Sequence, residues 1–272
     1  MAKRPPPAPV GLSGIRRRLH ALGDAKAAHF LRGYFKTGPG EYGEGDRFIG
    51  VKVPLMRKLA GECGGAAEAD TLQLLVSPVH EERVVALMIL VRRFEKGDDA
   101  ERARIYNLYL ANTRFINNWD LVDGSAPQIV GGWLAGRAWR RTLEGLARSS
   151  SLWERRIAIL ATYHFIRRGE FEPTLHVARM LLADREDLIH KAVGWMLREV
   201  GERDLPALEQ FLGEHLPVMP RTTLRYAIER FPEPKRTRYL LTPSAIALKG
   251  RRPSPKIAAQ SRGRGDGPRR KC

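Results

Sequence analysis

The sequence predicts an all-α protein, an α-solenoid whose stacked helical pairs enclose a concave basic groove. Three observations lead there. Between Leu12 and about Leu241 the apolar residues recur at helical spacing, in segments such as EERVVALMILVRRFEKG and LWERRIAILATYHFIRRGE that close on Gly. Strand-like alternation is scarce. The residues that open the inner apolar helices also recur almost regularly. Arg83 in RVVALMIL, Asp120 in DLVDGSAP, Arg156 in RIAILATY, Lys191 in KAVGWMLR and Arg225 in RYAIERF follow one another at 37, 36, 35 and 34 residues. Two helices per such period describe a HEAT-like or related repeat, in which each pair buries its apolar face only by stacking on its neighbours. An irregular bundle of similar helices is the plainer alternative.

Along the chain, MAKRPPPAPV puts prolines where a signal peptide has its apolar stretch, so residues 1–11 read as a disordered arm. A first helical hairpin follows. The Gly-rich stretch Thr37 to Gly45 separates it from FIGVKVPLMRKLA, where Pro54 suits the first turn of a helix. Flexibility is the simplest reading of that stretch. Further helices joined by short polar turns complete one repeat domain, residues 12–241. The remainder, GRRPSPKIAAQSRGRGDGPRRKC at 250–272, is rich in Gly, Pro and Ser and is predicted to be disordered.

The chain has 47 Lys and Arg against 30 Asp and Glu, a net charge of +17, and a 43% hydrophobic content that supports a real core. The tail holds eight basic residues and one acidic, so +10 of that charge belongs to the rest. Four of the five helix openers, Arg83, Arg156, Lys191 and Arg225, are basic, and stacking would set them in a row about 10 Å apart. Such a row suits a polyphosphate, bound through counterion release without reading sequence. Solvation of helix ends is the bland alternative for any single one.

The longest apolar run, Val84 to Val91, has eight residues where a bilayer span takes about twenty. Two cysteines, Cys63 and Cys272, build neither a disulfide framework nor a zinc site, and the seven histidines are scattered without an HExxH pair. No metal or cofactor is expected. Neither a GxxxxGK[ST] phosphate loop nor a GxSxG elbow occurs, which argues against nucleotide-driven or serine-hydrolase chemistry. The expectation is an intracellular, cytoplasmic monomer without membrane attachment.

Counting each opener as phase 0, Asp123 falls at phase 3, Arg156 at 0, Trp195 at 4 and Arg198 at 7, a single helix face. Trp119 lies one turn before Asp123. In a stacked solenoid these positions converge on one groove. Asp120 is expected to cap the helix begun by WDLVD. Asp123 has no such duty, and a carboxylate within an apolar helix needs a cationic partner or a purpose. Core packing of the two indoles and a purely structural Asp123–Arg156 ion pair are the alternatives.

GYFKT at 33–37, FIGVKVPLMRKLA at 48–60, HEERVVALMIL at 80–90, INNWDLVD at 116–123, LWERRIAIL at 152–160 and IHKAVGWMLRE at 189–199 carry a resemblance. From about Gly33 to Arg230 the chain resembles the AlkD-like DNA alkylation repair family, the HEAT-like repeat DNA glycosylases. The resemblance implies a DNA-alkylpurine N-glycosylase acting on duplex DNA with alkylated bases, in a bacterial cytoplasm or nucleoid. It implies catalytic roles for Trp119, Asp123 and Trp195, the indoles flanking the deoxyribose and the carboxylate facing the scissile bond. Arg156 resembles the arginine holding the phosphate beside the lesion, and Tyr34 and Arg198 match further cleft positions. Lys191, Arg83 and Arg225, from the basic row, join the expected DNA contacts. The implied reaction, on 3-methyladenine and 7-methylguanine type purines, leaves the base unenclosed. The loop Thr37 to Gly45, longer than the family's usual, and the basic tail are departures. A noncatalytic solenoid that binds bent or damaged DNA would keep the basic row without needing Asp123, and a protein-interaction scaffold is the third reading.

Overall fold

In the computed structural model, which describes residues 10–241, every regular element is helical, and the β-type pairing is an isolated bridge between Arg47 and Val79. The helices are α1 (Leu12–His20), α2 (Ala25–Tyr34), α3 (Val53–Glu62), α4 (Glu68–Leu75), α5 (His80–Lys96), α6 (Asp99–Ala111), α7 (Trp119–Asp123) and α8 (Gly132–Leu134), the last entered through a π-helical turn at Pro127–Gly131. Then come α9 (Arg140–Ala147), α10 (Leu152–Ala161), α11 (Tyr163–Ile166), α12 (Glu172–Leu181), α13 (Asp187–Gly201), α14 (Leu205–His215), α15 (Arg221–Ala227) and α16 (Glu233–Leu241). Val10 packs on the core and Gly11 precedes the first turn of α1, whose Leu12 N–H donates to Asp70 at 3.2 Å. Residues 1–9 and the tail 250–272 lie outside the described residues.

Local chemistry accounts for many helix starts. Asp24, Asp98, Ser151 and Asp204 each accept a backbone N–H of the first turn, satisfying donors that have no intrahelical partner. Pro54 stands in the first turn of α3, where its missing N–H costs nothing. The cap of α7 differs from expectation. Asn118 supplies it, its side-chain oxygen accepting the Trp119 N–H at 2.9 Å. Asp120, inside the helix, accepts the Leu121 N–H at 2.9 Å and has a second partner described below.

Helices α5, α7, α10, α13 and α15 touch in succession and form an inner row, with α9, α12 and α14 packed behind α10 and α13. These inner helices contain the five recurring openers. The expected solenoid order is therefore the observed one. Between the rows lie fully buried side chains such as Leu90, Ile105, Ile129, Ile157, Leu160, Phe165 and Leu197. Each contributes about 1.5 to 3 kcal/mol by leaving water, so stacking, not local propensity, holds the short helices.

Candidate active site

Helix α7 is only five residues long, yet its Trp119 is held by two other rings. Its indole stacks on Phe35 at 5.1 Å with 8° between the planes, Phe35 stacks on Phe48 at 4.9 Å, and Phe48 lies on the His80 imidazole at 4.5 Å. The edge of Tyr34, the last residue of α2, meets Trp119 at 6.0 Å.

Under this aromatic stack is a buried charge network. His80 Nε2 donates to Asp120 at 2.8 Å and its Nδ1 to Asp46 at 3.0 Å. Asp46 also accepts from Arg83 Nη2 at 2.6 Å and from Asn118 Nδ2 at 3.2 Å. A carboxylate on each side favours the doubly protonated ring, in which both nitrogens donate. Burial alone would lower the His80 pKa, but its bonds to Asp120 and Asp46 raise it. Burial likewise pushes Asp46 up, and His80 and Arg83 more than reverse this, leaving it below the ordinary carboxylate value.

This network removes Arg83 from the expected DNA contacts. It is 4% exposed, and its other Nη donates to the Ser77 carbonyl at 3.0 Å. The residues around Asp46 pair with the segment before α5, as the Arg47 N–H to Pro78 carbonyl bond shows, and they cover the start of that helix. The basic row is interrupted there. Arg225 is exposed on α15 but does not line the cleft described next.

The opposite wall comes from α10 and α13. Arg156 Nε and Nη2 grip the two oxygens of Asp123 at 2.8 Å each, and Nη1 donates to the Leu188 carbonyl at 2.6 Å. This parallel fork orients the carboxylate as well as neutralising it. Burial raises the Asp123 pKa, and Arg156 offsets only part of the effect. Lys191 Nζ reaches Asp187 at 2.8 Å, Trp195 Nε1 donates to Glu199 at 3.1 Å, and Arg198 pairs with Glu229.

Between the walls is an open cleft of about 470 Å³. Of the expected residues, Tyr34, Trp119, Arg156, Lys191, Trp195 and Arg198 line it. Asp123 is not in the lining itself; it is paired to Arg156, with its side chain 18% exposed against 7% for Arg156. Cations and electron-rich rings thus share one surface, with the Asp123 carboxylate bound to one of those cations, an arrangement suited to a phosphate and a sugar that acquires positive charge.

Sequence reasoning missed Tyr42, Leu188 and Tyr226, which complete the lining. Tyr42 comes from the Gly-rich stretch, which is folded where flexibility was expected. Gly38 and Gly40 donate to Glu41 and Glu44 at 2.8 and 2.9 Å, and the Gly43 N–H donates to the Lys36 carbonyl at 3.0 Å. A Cβ on Gly43 would lie 2.3 Å from the Phe35 carbonyl oxygen, so this reversal requires glycine. It seats Tyr42 in the cleft lining with Trp119, edge-on to Trp153 at 5.9 Å. Two glutamates set to accept glycine N–H groups in GPGEYGEG were the available signal.

A sequence model of the family described as DNA alkylation repair enzyme matches residues 15–231. The chain belongs to that family. Its fold is similar to that of a predicted DNA alkylation repair enzyme from Enterococcus faecalis, with a TM-score of 0.59 over 78% of this chain and 97% of that one, at 17% identity. None of the curated proteins matches the chain. Family membership gives the chain a role in DNA repair. Among the described residues no helix is long and apolar enough to cross a membrane.

Proposed function

We propose that the chain is a DNA-alkylpurine N-glycosylase. It hydrolyses the bond between deoxyribose and a cationic purine of the 3-methyladenine or 7-methylguanine type in duplex DNA, and it does so without a pocket around the base. The observation that carries this reading is the Asp123 carboxylate, held in a two-point grip by Arg156, which lines the cleft together with Trp119 and Trp195.

An alkylated purine carries a formal positive charge, so its C1′–N bond is already weak. When that bond breaks, its electron pair neutralises the departing base, and the sugar becomes oxocarbenium-like. Water then forms the new bond to C1′ and gives its proton to Asp123 or to solvent. A carboxylate about 4 Å from the developing cation, at an effective dielectric near 20, is worth on the order of 4 kcal/mol, roughly a thousandfold in rate. Arg156, which lines the cleft, is shared between this carboxylate and an incoming phosphate. As a phosphate draws on the guanidinium, the anion is less neutralised at the moment the sugar needs it. The two indole faces add about 0.5 to 2 kcal/mol each toward a cation between them. Lys191 and Arg198 hold the backbone. Discrimination then follows from the lability and charge of the lesion, which makes bulky cationic adducts acceptable substrates.

One observation favours a noncatalytic DNA-binding reading instead. Both oxygens of Asp123 are occupied by Arg156, as in a structural ion pair. Release of 3-methyladenine and 7-methylguanine from alkylated duplex, by wild type and by Asp123→Asn, separates the two. The glycosylase reading expects a loss of roughly a thousandfold with duplex binding retained. Equal rates would take the carboxylate out of the mechanism.

A further inference from the structure

We propose a second nucleic-acid site, an aromatic platform on α2 that takes an unstacked base of the bound duplex beside the cleft. It rests on the DNA-binding part of the function proposed above and is independent of the chemistry at Asp123.

The helix AKAAHFLRGY is patterned inside out. Ala27, Ala28 and Leu31 are the residues it half-buries, while Phe30 and Tyr34 stand 67% and 55% exposed. The two rings, one turn apart, are stacked at 5.9 Å with 18° between their planes, and Tyr34 meets Trp119 at 6.0 Å. Aromatic surface therefore runs without interruption from the cleft wall to the outer face of α2. Phe30 is the outermost member, and the cleft proposed for the lesion makes no use of it.

The presentation is rigid. Gly50 approaches the first turn of α2 with φ +82°, so closely that a Cβ would lie 2.1 Å from the Asp24 carbonyl oxygen and 2.7 Å from the Ala28 nitrogen. The Asp24 N–H donates to the Ile49 carbonyl at 2.9 Å. The buried Glu81 carboxylate, in turn, accepts the N–H groups of Ile49, Gly50 and Val51 at 3.1, 2.7 and 3.3 Å. A helix fastened this firmly, with its large rings outward, offers a flat apolar face that pays no ordering cost on binding.

Charge selects the occupant. Helix α2 carries Lys26 and Arg32 and no acidic side chain between its ends. Aromatic rings interleaved with cations fit a strand whose phosphates lie beside the cations while a base stacks on the ring. A duplex worked on from the sugar side has a lesion pair that no longer stacks normally, and its displaced base needs an apolar surface. Phe30 is positioned to supply one.

The test uses the full chain and a duplex carrying 5-iodouracil opposite a tetrahydrofuran abasic analogue, with the fully paired duplex alongside. Ultraviolet irradiation is expected to join the iodouracil to the peptide containing Phe30, and Phe30→Trp is expected to keep that adduct. Phe30→Ala should lose it and weaken binding of the abasic duplex roughly tenfold, with affinity for the paired duplex unchanged. Equal affinity of wild type and Phe30→Ala for the abasic duplex, or crosslinking confined to other residues, would overturn the platform while leaving the glycosylase reading intact. Failure of the wild type to bind either duplex would instead overturn both.

Discussion

The two walls of the cleft are built on different principles. On the side of α10, α13 and α15, the side chains sit at equivalent places on stacked helices, and each is held by one or two local partners, such as Lys191 by Asp187 and Trp195 by Glu199. On the side of α2 and α7, Trp119 depends on a stack of rings and on a buried chain of ions drawn from residues 46, 80, 83 and 120. The first wall is a property of the repeat. The second is assembled from segments far apart in sequence, and it is correspondingly intolerant of loss.

Removing one member of each wall should expose that contrast most strongly. Asp46→Ala leaves the buried Arg83 and His80 without their shared anion, a type of loss that costs about 3 to 5 kcal/mol. For a chain of this size that corresponds to a fall of roughly 10 °C in melting temperature. Asp187→Ala breaks a pair whose members are 42% and 59% exposed, and such pairs contribute about 1 kcal/mol or less. Thermal unfolding followed by circular dichroism measures both. Equal shifts would mean that the walls are not different in kind.

The same contrast decides what was legible in the sequence. The recurrence of Arg83, Asp120, Arg156, Lys191 and Arg225 located the inner helices, and the shared phase of Asp123, Trp195 and Arg198 brought them to the neighbourhood of Arg156 because stacking preserves phase. Periodicity carries no information about what folds across a helix end. Arg83 has the same rank in the repeat as Arg156, and only the Asp46 segment, 37 residues earlier, turns it from a groove cation into an interior one. His80 precedes Arg83 by three residues and so shares its face, which was a readable hint of a joint partner. Tyr42 was obscured by its glycines, since the hydrogen bonds that fix the loop connect residues without apolar patterning.

Acid should act on the chemistry and base on the stability. Asp123 has a raised pKa, so its ionised form is lost as pH falls through a value above the ordinary aspartate range of about 3.9. Excision should therefore decline on the acid side while the protein remains folded, because protonating this carboxylate relieves a cost of burial. His80 has a raised pKa as well, with the opposite consequence. Its stabilisation is complete below about pH 6.5, its unfolded value, and is lost as pH rises through the folded one. Unfolding free energy measured against pH should fall on the alkaline side in the wild type and flatten there in His80→Gln. An alkaline decline of the same size in His80→Gln would remove the imidazolium from the account of stability.

The smallest expected effect concerns salt, and it compares two cations of the same repeat position. Lys191 lines the cleft, so Lys191→Ala should lower duplex affinity and reduce the slope of log affinity against log salt by about 1, one phosphate contact. Arg83→Met should leave the slope as it is, since a guanidinium bound to Asp46 and Ser77 inside the protein releases no counterion when DNA binds. Its cost should appear in melting temperature instead. A changed slope for Arg83→Met with an unchanged one for Lys191→Ala would reverse the assignment of surface and interior, and the basic row read from the repeat would have to be drawn through α5 after all.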